Sequence, residues 1–470
     1  MAAWRRFSLR SRSGAAPVAA VPSGPRAGYH PALRPFGWLL LKEFRELAAS
    51  RAFWLLLLII GPLAGHGFIT AVETYAEASG IHGGPAALAQ GLSPLDGIFV
   101  PSFGAYDLAA TLLFPFVAIR LISAEKSSGA WKLMLQSPAS MPSMLLAKGV
   151  ALLGGWMIAW IPGLLAVALW KLYSGSVYFP ELGNLLLGHL LRVILACGVA
   201  VAAAAVAGNA ASAAIATLGF TVGTWALEFV AAGRGGLLEK IASYTPTSAL
   251  RIFEQGEFRL NTVLVTLLLG VAGFTIAAVW LQPRRTVFRQ ASATLAVVLT
   301  FAAAIAAISF LHPSWDLSEN RRNSFPPADE AALARIREPL RITVNLAPED
   351  PRLLDLDQEI LSKLVRVVPH VEIDYAGRSR TGLFEGSQEH YGEIWYRLGA
   401  RQVMSHSTTP EIVLETIYNL AGIAPPSHAG EIPYQGHPLA AEPAGAAWIF
   451  YLLWPLVVMI GGWIQFHERS

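Results

Sequence analysis

One short stretch of this 470-residue chain gathers residue types that are otherwise thinly spread. Arg120, Glu125 and Lys148 place charge at the ends of long apolar runs. Gly129 breaks the helix between them, and Trp131, Leu133, Met134 and Leu135 form a new apolar cluster before Pro138. No nucleophile stands beside a base here, so the chemistry on offer is that of contact. An apolar knob with a charged rim, set where a helix stops, suits a surface that another molecule presses on. Arg120 and Glu125 read either as interfacial anchors or as groups that hold a helix end in register with a partner. His189 and Arg192 near one end of the fourth apolar run, and Glu228 at the end of the fifth, read first as side chains that snorkel to the interface. The second reading makes these three the lining of a translocation path.

Bond-making chemistry finds little support. The chain has no GxxxxGK[ST] loop, and the glycine cluster at 233–236 lacks the Lys-Ser/Thr that would complete one. ATP hydrolysis is therefore not expected of this chain. HExxH and GxSxG patterns are also missing, and paired catalytic residues at one membrane depth are not seen. His406, His428 and His437 are too loosely spaced to specify a metal, and none is expected. Cys197 is the single cysteine, which rules out an internal disulfide or a CxxC site and reads as a small buried hydrophobe.

The elements that must position the charged stretch are membrane helices. Hydrophobic residues make up 54% and charged residues 14% of the chain, against about 25% charged in a typical soluble protein. With a mean hydropathy of +0.47 and repeated runs near 20 apolar residues, the pattern is that of a polytopic α-helical membrane protein. Eight spans are expected, at about 53–70, 106–122, 150–169, 185–207, 212–230, 263–281, 293–311 and 447–464. Residues 36–50 mix Trp38, Leu39, Leu40 and Leu41 with Lys42, Glu43, Arg45 and Glu46, as in an amphipathic helix lying in the interface. Residues 1–35 carry no acid and are rich in Arg, Ser, Pro and Ala. They read as a disordered basic tail, with a mitochondrial transit peptide as the other source of such a bias.

Charge orients the spans. No Lys or Arg occurs between Arg51 and Arg120, whereas the basic N-terminus, the 126–148 stretch and Arg284, Arg285 and Arg289 fall on one side together. The positive-inside rule makes that side cytoplasmic, with both termini there. Residues 313–443 hold 12 basic and 19 acidic side chains, leaving 23 and 13 for the remainder. This acidic part alternates strand patterns (340–346, 370–375, 392–398, 401–404) with helix patterns (331–338, 358–368, 409–420). It is expected to be an extracytoplasmic α/β domain at 312–445 with a parallel or mixed sheet. Between 234 and 259 a moderately polar stretch is either re-entrant or laid along the outer surface.

The run from Leu112 through Phe114-Pro115, Arg120, Glu125, Gly129-Ala130, Trp131-Lys132-Leu133-Met134-Leu135 and Pro138-Ala139-Ser140 to Lys148-Gly149 resembles the ABC-2 type permease signature. Ala130 stands where threonine is common. The resemblance implies a six-span core over 36–282 with an interfacial elbow helix, and a loop at 120–148 that docks on a separate ATP-binding subunit. Two such subunits would bind ATP and Mg, and this chain would bind no cofactor. A second stretch, Trp315-Asp-Leu-Ser-Glu-Asn-Arg-Arg-Asn-Ser324 followed by Glu338-Pro339, is similar to the opening of the gliding-motility auxiliary protein's extracytoplasmic domain, here shortened. Permease and auxiliary would then be fused, with residues 283–311 and 446–470 supplying the last two spans. A homodimer in a bacterial cytoplasmic membrane, lipid contacts, an envelope protein partner and no nucleic acid are what these resemblances imply. Export is the first function they suggest. The second is mechanotransmission to the envelope.

Overall fold

The computed structural model describes residues 33–81, 91–137, 139–231, 236–283, 285–311, 313–347, 350–376, 390–427, 434–439 and 445–467. Residues 1–32 of the expected tail, Pro138, Arg284 and His428 lie outside these residues, and the last three tail residues open a helix.

Among the described residues, eight helices are long and apolar enough to cross a membrane. In chain order spans one to eight are Arg51–Ala78, Leu95–Ser128, Met141–Leu172, Phe179–Val206, Ala210–Ala231, Leu260–Trp280, Val287–Ile308 and Ala446–His467. The protein is thus a polytopic helical membrane protein. Several spans outrun their apolar runs. Span two starts at Leu95 rather than near 106 and takes in Asp96 and Asp107, whose charges find partners in the fold. It continues through a π turn at Ala109–Leu113 instead of breaking.

A preceding helix, Leu33–Ala48, lies against span three. Gly154 and Gly155 of span three make the approach close: a Cβ at either would meet Phe44 or Leu47 at 2.6 Å. The helix turns Glu43 and Leu47 inward and leaves Trp38 70% exposed. Span eight returns to pack on span one, where the Trp454 indole nitrogen donates to the Leu57 carbonyl at 2.7 Å. Span seven touches the bundle lightly, chiefly through Trp280, whose indole donates to Thr294 Oγ1 at 2.9 Å. The stretch after span five forms two short helices, Gly236–Ala242 and Pro246–Glu254, and the second packs on span four.

Residues 120–148 sit at one end of the bundle, the near end. A sheet unit is tied to the other, the far end. Its strands run in the order β4–β3–β5–β6, with β3 (Leu340–Val344) parallel to β4 (Val371–Tyr375) and antiparallel to β5 (Ile394–Leu398). β5 also pairs antiparallel with β6 (Arg401–Ser405), so the sheet is mixed. Alternation along β3 and β5 buries Leu340, Ile342, Val344, Ile394, Tyr396 and Leu398 in one apolar core with the helices Pro351–Leu356, Ser362–Val367 and Pro410–Ala421.

Candidate functional site

Span two ends at Ser128 because Gly129 takes a left-handed conformation, φ +76°, that glycine adopts without steric cost. The chain restarts as a short helix, Ala130–Met134, and turns back into span three. Its apolar cluster divides. Trp131 is buried and its indole nitrogen donates to the Leu281 carbonyl at the end of span six, 3.2 Å away. Leu133 is 69% exposed, with Lys132 beside it also exposed. Leu135 lies half-buried against the bundle core.

Behind this short helix is an ionic cluster that draws on three helices. Lys148 of span three is fully buried, and its ammonium lies 2.8 Å from Glu125 Oε1 and 2.8 Å from Glu43 Oε2. Lys42 reaches Glu43 Oε1 at 3.0 Å and Glu46 Oε1 at 3.1 Å, and also pairs closely with Glu125. Its ammonium also contacts Met134 Sδ at 3.4 Å. Burial disfavours the Lys42 ammonium, but hydrogen bonds and attraction from Glu125 and Glu43 outweigh it and hold its pKa above the ordinary lysine range. Burial raises the pKa of Glu46 in spite of Lys42. Glu43, Glu46 and Glu125 lie close enough together to ligate a metal ion. The two ammoniums already occupy the space between them and leave one net negative charge.

The stretch therefore touches most of the near end. Lys126 adds span four: its ammonium donates to the carbonyls of Ala204, Ala205 and Ala207 at 2.9, 2.9 and 2.8 Å, where that helix leaves orphan acceptors. Of the residues singled out by sequence, Glu125, Gly129, Trp131, Leu133, Leu135 and Lys148 come together. Arg120 does not. Five residues along a helix turn it about 140° from Glu125, and it faces a groove between spans two and five. Lys42 and Glu43 were legible only as the polar side of an interfacial helix.

His189, Arg192 and Glu228 do not form one path, and the first two do not snorkel. Arg192 is buried, bonded to Asp107 Oδ1 at 2.8 Å and Thr111 Oγ1 at 2.7 Å across to span two. His189 is buried against Phe103 and Tyr106, with no hydrogen-bond partner on either ring nitrogen among the described residues. A partner acid on a neighbouring span makes inward burial of Arg192 cheaper than reaching the interface. Glu228 instead accepts from Thr245, joining span five to the chain before Pro246–Glu254. His437 pairs with Glu319 at 2.9 Å, and His406 Nδ1 lies 3.1 Å from the Gly392 carbonyl.

At the far end, residues 314–324 stitch the sheet unit to the bundle. β2 (Ser314–Asp316) pairs antiparallel with β1 (Glu257–Arg259). Asp316 accepts from the Ser318 amide at 3.0 Å, Ser324 Oγ at 2.7 Å and Asn323 Nδ2 at 3.3 Å, and from the Ser318 hydroxyl. The loop so shaped aims Arg322 at Asp96 (2.5 Å) and at the carbonyls of Gln255 (2.9 Å) and Glu254 (3.1 Å). Its Glu319 amide donates to Glu181 of span four at 2.6 Å. The Glu319 carboxylate in turn accepts from Tyr434 at 3.1 Å, and the His437 carbonyl accepts from Tyr75 of span one at 2.9 Å.

Searches against family models, curated proteins and solved structures find no match to this chain.

Proposed function

We propose that this chain is the membrane subunit of an ABC-2 type exporter, coupling ATP hydrolysis by a separate ATPase subunit to transport across the bacterial cytoplasmic membrane. The observation that carries the reading is the short helix Ala130–Met134, which exposes Leu133 and Lys132 while Trp131 fastens it to span six and, on the end of span two that leads into it, Lys126 and Glu125 bind span four, span three and the Leu33–Ala48 helix. A surface held by four elements passes a push to all of them, which is what coupling to a discrete two-state bundle requires. With this end cytoplasmic, ATP and Mg reside on two ATPase copies and the exporter is a homodimer. Spans five and seven, the least covered by the rest of the chain, are left for a second copy and for lipid.

The test is ATPase activity of the reconstituted complex. Glu125→Lys and Trp131→Ala should each abolish stimulation of the ATPase by this subunit while membrane insertion stays intact. Normal stimulation by both variants removes the reading.

A mechanotransmission subunit is the second reading, favoured by the far-end stitching. Arg322 to Asp96 and Glu319 to Glu181 tie the sheet unit to spans two and four, so their movement reaches it without slack. Crosslinking of the sheet unit to an envelope protein, with no substrate moved in vesicles, selects this reading over export.

A further inference from the structure

Arg120 is left over from the coupling cluster, and its surroundings have a chemistry of their own. It is exposed and makes no ion pair with a described residue. It lines a groove of about 710 Å³ between span two, the start of span one and the turn into span five. That is within the roughly 300–1,000 Å³ typical of small-molecule sites. The lining is graded along the helix axis. Phe116 and Ile119 on span two and Ala214 on span five form the deep, apolar part. Arg120, Ser123, Lys126, Ser127 and Asn209 follow toward the near end. From Phe116 to Ser127 the helix rises about 16 Å, enough to pass from acyl chains to headgroups. No carboxylate lines the groove, and Lys126 is pinned beside it by three carbonyls.

From this gradient we propose that the groove binds an anionic phospholipid from the leaflet at the near end, with its phosphate on Arg120 and its acyl chains along Phe116, Ile119 and Ala214. Under the topology proposed above this is the inner leaflet, although the binding chemistry is independent of orientation. A basic pocket between membrane helices is the arrangement that holds an acidic headgroup. Arg supplies a planar fork suited to phosphate oxygens, and a zwitterionic choline headgroup would bring its own cation to the same rim. The charge of Lys126 adds to the field, but its hydrogens are already directed at Ala204, Ala205 and Ala207. Arg120 is thus the group that reads the lipid.

The full-length protein, purified in detergent and stripped of lipid, is offered equal amounts of phosphatidylglycerol and phosphatidylcholine with the same chains. Bound lipid is counted by native mass spectrometry. Phosphatidylglycerol should be retained over phosphatidylcholine by roughly tenfold, because the choline cation at the same rim offsets the attraction of its phosphate to Arg120. Arg120→Gln should erase that preference. Ala214→Phe, which fills the groove and keeps every charge, should lower retention of phosphatidylglycerol. Arg289→Gln, an equal loss of charge at an exposed site on span seven, should change nothing. Excess soluble glycerol phosphate should not displace the lipid. Equal retention of both lipids, an equal effect of Arg289→Gln, or displacement by glycerol phosphate would each overturn the proposal. Neither ATPase nor nucleotide enters the experiment, so its failure leaves the coupling reading standing.

Discussion

The two ends of this bundle are held by different kinds of bond. At the near end, Lys42 and Lys148 share Glu43 and Glu125, four charged side chains from three helices with little backbone involved. At the far end, Asp316 shapes a loop whose amide and guanidinium groups bind the carboxylates of Glu181 and Asp96 and main-chain carbonyls of the neighbouring segments. A carboxylate shared between two ammoniums can lose one and keep the other, so the near end can change its pairing as helices shift. The far-end loop also holds an ion pair, Arg322 to Asp96. Its added bonds to the main-chain carbonyls of Glu254 and Gln255 leave it fewer ways to re-pair, so it moves with those segments. Under the proposed coupling, a driven motion is received at the near end and only passed on at the far end.

The sharpest way to break this contrast is charge reversal in the cluster. Glu125→Lys sets a third ammonium beside Lys42 and Lys148 and should cost about 3–5 kcal/mol, the range for breaking a buried ion pair. Thermal unfolding in detergent reads the loss, and a shift no larger than that of an exposed substitution would mean the cluster is not a structural unit. Asp316→Ala should cost less, about 1–3 kcal/mol for the donors it strands. Hydrogen exchange should then rise in residues 316–324 and stay unchanged in Leu33–Ala48. A matching rise in that helix would show that the two ends are not independent.

The smallest effect is the one that separates the ends by pH. Burial works against the charged form of Asp316, but hydrogen bonds from Ser318, Ser324 and Asn323 outweigh it and hold its pKa below the ordinary 3.8. Its stabilising contribution is therefore complete above that value and is lost as pH falls through the lowered one. Lys42 has the opposite sign. Raised above the ordinary 10.5, it stabilises fully below that value and loses its contribution only as pH climbs through the raised one. Burial raises the pKa of Glu46, which faces Lys42, so its protonation does not weaken the fold. Unfolding temperatures of wild type, Asp316→Asn and Lys42→Met between about pH 3 and pH 11 should show the first difference shrinking only in acid and the second only toward alkali. Both differences fading at the same end would contradict the assignment.

The spans were legible because apolar runs near 20 residues leave few alternatives, and the strands because β3 and β5 alternate cleanly. What sequence hid was pairing across long separations. Nothing nearby in sequence marks Asp107 as the partner of Arg192. The same gap made Arg192 and His189 look like snorkelling residues. Lys42 and Glu43 were visible as charges on an amphipathic helix, but amphipathicity does not say which side meets protein. Here the stripe through Glu43 and Leu47 turns inward and Trp38 faces out. The loop after Trp315 drew attention as a motif, while its targets Asp96, Glu181 and Gln255 carried no local signal.

The central claim is that the exposed side of Ala130–Met134 meets an ATPase at the cytoplasmic face. Because Cys197 is the only cysteine and is buried, Leu133→Cys offers a single reactive thiol. A membrane-impermeant maleimide applied to oriented vesicles should label it only from the cytoplasmic side. A bifunctional reagent at the same thiol should join it to an ABC ATPase subunit, and Glu125→Lys in the same chain should reduce that joining. Labelling from the opposite side, or efficient labelling with no ATPase captured when the two are co-expressed, would contradict the account.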